Sequence, residues 1–265
     1  MTTTPARTTV GVIGGSGVSG VLEEGDRKLH RVATPWGAPS GPVEEGHVGG
    51  MRVLFLARHG PGHTIPPHRI NYRANVDALR SLGAEAIVTV SAVGSLREEL
   101  PPGTFVLPSQ FLDFTKQRPT TFFDGGKVYH VSLADPFCPE LRQAAAEAGR
   151  AVGAPFAEGK CYVCVEGPRF STRAESAFYR TLADVIGMTL VPEVTLARER
   201  GVCYACLAMV TDYDVWAETP VDAAEVGRTM GRNAEKMARV LQRLLPALAR
   251  EPGCSCAHAL DEAGI

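Results

Sequence analysis

The chain has 265 residues, 45% hydrophobic and 21% charged, with a formal net charge of −2. That length builds one large domain or two small ones and buries enough surface to fold without a disulfide or metal staple. A near-neutral chain has no global pull toward nucleic acid or anionic lipid. No apolar run is long enough to span a bilayer, and the first residues lack a secretory pattern, so a cytoplasmic globular protein is expected.

Short apolar runs alternate with longer amphipathic stretches, the signature of an α/β fold. Strands are predicted at 9–13, 51–57, 86–91, 104–107, 161–166, 184–186 and 203–211. Helices are predicted at 72–82, 139–152, 173–182, 192–200 and 223–249. Pro139 and Pro192 suit first helical positions, and Gly83 and Gly201 suit the residue just past a helix. Residues 109–130 read as a long irregular loop, a kind that is often functional. No composition break divides the chain, so a single domain is expected over 9–250. A flexible tail precedes it at 1–8, and a tail carrying Cys254-Ser255-Cys256 follows at 251–265.

Five segments carry chemistry. Gly14-Gly15-Ser16-Gly17 follows a buried strand, and its glycines let the backbone approach an anion. The same glycines fit a dinucleotide fingerprint, but the stretch after them is too short and acidic for the expected helix. Arg58-His59-Gly60 and His63 come at the end of the next strand, where a guanidinium fork and an imidazole suit phosphate. Ser91-Ala92 begins a third small-residue turn. Gly167-Pro168-Arg169-Phe170 presents an aromatic ring before a helix that Ser171 or Thr172 would cap. Asp212 and Asp214 end the most apolar strand and share one face of it, so one of them is expected to hold a proton.

The seven cysteines include two C-x-x-C pairs, Cys161/Cys164 and Cys203/Cys206. Both pairs lie in apolar runs without a turn between them, so they read as buried strand thiols rather than as a zinc site, and no metal is expected.

Taken together, Gly14–Gly17, Arg58-His59-Gly60, His63, Asn71–Asn75, Gly94–Glu99, Glu166–Ser171, Met188-Thr189, Val191-Pro192-Glu193 and Thr211–Asp214 resemble the 5′-methylthioadenosine phosphorylases of the trimeric purine nucleoside phosphorylase family. The likeness runs from about Val10 to Leu248 in family order. It implies one domain with a mixed central sheet flanked by helices, a homotrimer or a dimer of trimers, and phosphorolysis with no cofactor beyond inorganic phosphate as co-substrate. The implied phosphate site is Ser16, Arg58, His59, Ser91, Ala92 and Thr189. Phe170 and Met188 would pack base and ribose, His63 and His130 would lie near the ribose, and Asp212 and Asp214 would read and protonate the purine. In the family, adenine-type sites carry this Asp pair and 6-oxopurine enzymes usually have Asn at the corresponding place, so the pair implies adenine.

The chain departs from the pattern in three places. Gly187 stands where Asn commonly precedes Met-Thr. The 217–224 stretch is more polar than a wall for a 5′-methylthio group should be, which leaves adenosine or a 6-oxopurine nucleoside as alternatives. The terminal C-x-C resembles one that forms a disulfide in some heat-stable members.

Overall fold

The computed structural model describes residues 8–23, 25, 27–217, 222–261 and 263–264, with residues 16, 17, 19, 225 and 232 described in backbone only. Most of the N-terminal tail expected at 1–8, and half of the polar stretch at 217–224, lie outside the described residues.

The strands are β1 (Thr9–Gly14), β2 (Lys28–His30), β3 (Val43–Val48), β4 (Met51–Ala57), β5 (Ala86–Ser95), β6 (Phe105–Phe114), β7 (Phe156–Val165), β8 (Val185–Gly187) and β9 (Cys203–Asp212). The helices are α1 (Tyr72–Ser81), α2 (Pro139–Ala151), α3 (Arg173–Tyr179), α4 (Glu193–Glu199) and α5 (Ala223–Ala247). The strands form one mixed sheet in the order β2-β3-β4-β1-β5-β8-β7-β6-β9. Strand β9 also pairs with β5, so β5, β8, β7, β6 and β9 close into a ring. The single α/β domain expected from the sequence is what the chain builds.

Alternation along the strands explains the layers. Val53 and Phe55 of β4 face one core with residues of α2 and α5. Leu54 and Leu56 face the other, with residues of α1 and α4. Successive strand side chains point to opposite faces, so a sheet buried on both sides needs apolar residues throughout, and β4 reads as one apolar run.

Local signals hold at the helix ends. Pro139 is the first residue of α2, while Pro192 sits one residue before α4. Gly83 and Gly201 adopt left-handed φ of 99° and 62° just past α1 and α4, where a side chain would be strained. Thr172 caps α3 with a full capping box closed by Glu175.

Three features differ from expectation. The hairpin of β2 and β3 is present, although Val43–Val48 carries polar residues between its ends. Strand β6 runs on to Phe114 through an irregularity at Pro108, so the segment predicted as loop is partly strand. The C-terminal segment is docked: the Gly253 amide donates to Glu140 at 2.5 Å, Cys256 is buried, and Tyr129 bridges to Gly264. Among the described residues no helix is long and apolar enough to cross a membrane.

Candidate active site

Strands β4, β1, β5 and β9 are parallel neighbours, so their C-terminal ends open on one side of the sheet. That is where ligands bind in such sheets. A cavity of about 820 Å³ lies there. Arg58 and His59 reach it from the end of β4, Ser91 and Ala92 from β5, and Met188 and Thr189 from the turn after β8. Phe170, 38% exposed, arrives on the loop after β7, and His63 from the loop after β4. Asp212 and Asp214 close the set at the end of β9. Gly15 lines the cavity beside Ser16, whose side chain is outside the described set. Three strand spacings separate β4 from β9, about 14 Å at roughly 4.8 Å each. The Arg58-His59 turn and the carboxyl pair thus stand well apart across one cavity.

His130 does not line this cavity. Its amide donates to Ala263 O at 2.7 Å, and the neighbouring Tyr129 pairs with Gly264, which fixes the segment against the C-terminus instead. The 109–130 segment contributes nothing else to the cavity either. It supplies a clamp, because Arg118 donates to Tyr72 Oη, Val191 O and Glu166 O at 3.1, 2.5 and 2.7 Å.

Arg58 was expected to aim its fork at the anion. The structure turns the fork inward: Nε and Nη2 lie 2.9 and 3.1 Å from the Glu193 carboxylate, and Nη1 donates to Val90 O at 3.0 Å. Nη2 also bonds Thr89 Oγ1. Glu193 is fully buried and accepts a further bond from Tyr204 Oη at 2.8 Å. A charge 2% exposed needs such a partner, so Arg58 is first a positioned, neutralised cation.

His59 also differs in detail. Its Nδ1 lies 2.8 Å from Ile65 O, and a carbonyl can only accept, so Nδ1 carries the hydrogen. Burial pushes the ring down to about 4, with the Ile65 carbonyl opposing and Arg58 and His63 adding to the effect. The neutral ring therefore presents Nε2 as an acceptor, where a charged imidazole would donate. His63 stacks on it with centroids 4.1 Å apart and a φ of 58°.

The carboxyl pair departs from the shared strand face expected: Asp212 ends β9, and Asp214 lies beyond it in left-handed backbone with φ of 52°. Burial raises both Asp212 and Asp214 above the usual carboxylate range. Asp212 accepts from Thr211 Oγ1 at 2.7 Å and from the Asp214 amide at 2.8 Å, which fixes its plane. Asp214 is 4% exposed, with Oδ2 lacking a partner among the described residues. Gly94 makes room for the pair, since a Cβ there would stand 2.8 Å from Asp212 Oδ1.

Two contributors were missed. Glu193 follows Val191-Pro192, and a carboxylate there gives no local hint of a partner across the sheet. The apolar wall comes not from 217–224 but from α5, with Val226, Met230, Ala234 and Met237. Spacings of three and four put these on one helix face, a signal that was present in the sequence.

The cavity at the strand ends thus gathers a glycine turn, an aromatic ring and a carboxyl pair raised by burial. The chain belongs to the phosphorylase superfamily, whose family model matches residues 9–246. It is 55% identical to the S-methyl-5′-thioadenosine phosphorylase of Pyrococcus horikoshii over 251 residues, 95% of this chain and 97% of that one. Its fold is similar to a methylthioadenosine phosphorylase from an antarctic soil metagenomic library, with TM-score 0.92, 42% identity, and coverage of 98% and 93%. It is also similar to a mutant adenosine/methylthioadenosine phosphorylase from Schistosoma mansoni in complex with methylthioadenosine, with TM-score 0.90, 36% identity, and coverage of 96% of each chain.

Proposed function

We propose that the enzyme cleaves 5′-methylthioadenosine with inorganic phosphate, giving adenine and 5-methylthioribose 1-phosphate. The observation that carries this reading is the desolvated Asp212/Asp214 pair in a cavity walled by the apolar face of α5. The pair suits a 6-aminopurine, and the wall suits a thioether better than a hydroxyl.

A phosphate oxygen bonds to the anomeric carbon as the bond from that carbon to purine N9 breaks. The bonding pair leaves with the purine. Asp212 donates its proton to the five-membered ring, a contribution of about 10²–10⁴-fold for general acids. Asp214 accepts from the 6-amino group. Ser91 and Thr189 hydroxyls and the backbone around Gly15 hold phosphate, with Ser16 as a further donor. Arg58 supplies its remaining Nη1 hydrogen, and His59 Nε2 accepts from a protonated phosphate oxygen. Phe170 and Met188 pack the base and sugar, and His63 borders the ribose. No organic cofactor enters this chemistry.

The reading includes a homotrimer, alone or paired. Phe178 and Leu182, 53% and 42% exposed, support a covered face, and a neighbouring subunit is where His130 would act. Sedimentation showing a stable, active monomer would exclude it. The decisive assay follows adenine release from methylthioadenosine, adenosine and methylthioinosine with and without phosphate. Phosphate-dependent release fastest from methylthioadenosine is expected. Release without phosphate would identify a hydrolase and overturn the proposal.

A further inference from the structure

At the other end of β9, far from the cavity, four cysteine side chains converge. Cys138, Cys203, Cys254 and Cys256 place their sulfurs within 4.8 Å of one another, and three of the four residues are buried. Cys203 Sγ and Cys254 Sγ are 3.4 Å apart. We propose that these four thiols form a structural metal site for a tetrahedral, thiophilic divalent cation, with zinc as the natural occupant.

The geometry favours a single centre. Zinc–thiolate bonds of about 2.3 Å on a tetrahedron put the sulfurs about 3.8 Å apart. Pairwise cross-links need only two short separations, whereas here every sulfur is near every other. Shifts of roughly an ångström bring all four to bonding distance of one point. With four protein ligands the site has no open position, which is the structural rather than the catalytic pattern. Cys203 begins β9 and Asp212 ends it, so the site lies about 30 Å from the carboxyl pair at roughly 3.3 Å per residue.

The surroundings suit the charge. Four thiolates around a divalent cation carry a net charge of −2, and forming the site releases four protons from the thiols. Cys138 is the N-cap residue of α2, at the positive end of a 13-residue helix. Arg198 Nη1 is 3.8 Å from Cys256 Sγ, and its buried Nε has no hydrogen-bond partner among the described residues. A guanidinium held against sulfur is the counter-charge such a centre needs.

The ligand set also explains a reading of the sequence. Neither C-x-x-C pair acts as a unit. Cys161, Cys164 and Cys206 remain strand residues, and only Cys203 joins the cluster. The other ligands come from a helix start and from the terminal C-x-C. A bound metal would therefore staple the C-terminal segment to α2 and β9.

The test uses the full-length enzyme, grown with added zinc and purified under reducing, oxygen-free conditions. Elemental analysis and native mass spectrometry should find one zinc per chain. Cobalt(II) added to the stripped protein should give the intense charge-transfer and visible bands of tetrahedral thiolate coordination. Cys254→Ser/Cys256→Ser should lose the metal, and Cys161→Ser should keep it. If the double variant does not fold, the wild-type metal content and cobalt spectrum decide. Wild-type protein that binds neither zinc chloride nor cobalt chloride while all four thiols alkylate freely overturns the proposal. Recovery of the four cysteines as two disulfides from that purification overturns it as well.

Discussion

The hydroxyl of Tyr162 fills the space that a side chain on Gly187 would occupy. Tyr162 is fully buried on β7, and Gly187 ends the adjacent β8, directly before Met188 and Thr189 of the cavity. The glycine that departs from the family pattern is therefore matched by a large neighbour. Gly187→Ala should lower stability by about 1–3 kcal/mol, the usual cost of overpacking. Adding Tyr162→Phe, which removes the unpartnered buried hydroxyl, should recover part of the loss. Urea unfolding reads both, and an unchanged midpoint in the single variant would show that Tyr162 has room to move.

Glu193 holds Arg58 in a buried pair. Glu193→Ala leaves a buried cation without its partner and should cost about 3–5 kcal/mol. Tyr204→Phe removes one hydrogen bond to the same carboxylate and should cost about 1 kcal/mol. Equal losses in thermal unfolding would mean that the ion pair contributes little.

The carboxyl pair divides its labour between proton transfer and recognition. Asp212→Asn should lower kcat by about 10²–10⁴-fold with KM for phosphate little changed. Asp214→Asn should shift kcat/KM from methylthioadenosine toward methylthioinosine. A variant that kept the wild-type preference would remove Asp214 from base reading.

His59 gives a pH signature. Its folded-state value is lowered from 6.5 to about 4, mainly by burial. Between those values the unfolded chain binds the proton and the folded chain does not, so stability falls as pH falls through that window. The wild type should lose more stability than His59→Asn between pH 7 and about pH 4.5. The ring is partly open to solvent, which reduces the size of the effect. Parallel losses in the two proteins would place no titrating strain at His59.

Met230 tests the apolar wall. Met230→Gln puts an amide on the cavity face of α5 and should raise KM for methylthioadenosine several-fold while leaving adenosine nearly unaffected. Equal changes for both nucleosides would move the 5′ pocket elsewhere.

Much of this was legible because the relevant signals are local. The parallel strands around β1 are continuous apolar runs, and the site residues follow them at the strand ends. Burial of Asp212 and Asp214 followed from the apolar strand that leads into them. What escaped depends on contacts between distant segments. The Glu193–Arg58 pair spans 135 residues of sequence, and no spacing rule links them. Strand β3 hid because Glu44, Glu45 and His47 interrupt its apolar pattern, yet it pairs beside β4. The thiol cluster draws on three separate stretches of chain, so its members showed only as scattered cysteines.

The closure of β9 onto β5 has a consequence for life at high concentration. Among the described strands only β2 pairs with a single neighbour. It is three residues long, and Lys28 is exposed on it beside Leu29, 62% exposed. A short, charged edge is a poor template for another chain to extend. The nine-stranded sheet thus has no long terminal strand from which strand-by-strand aggregation could extend.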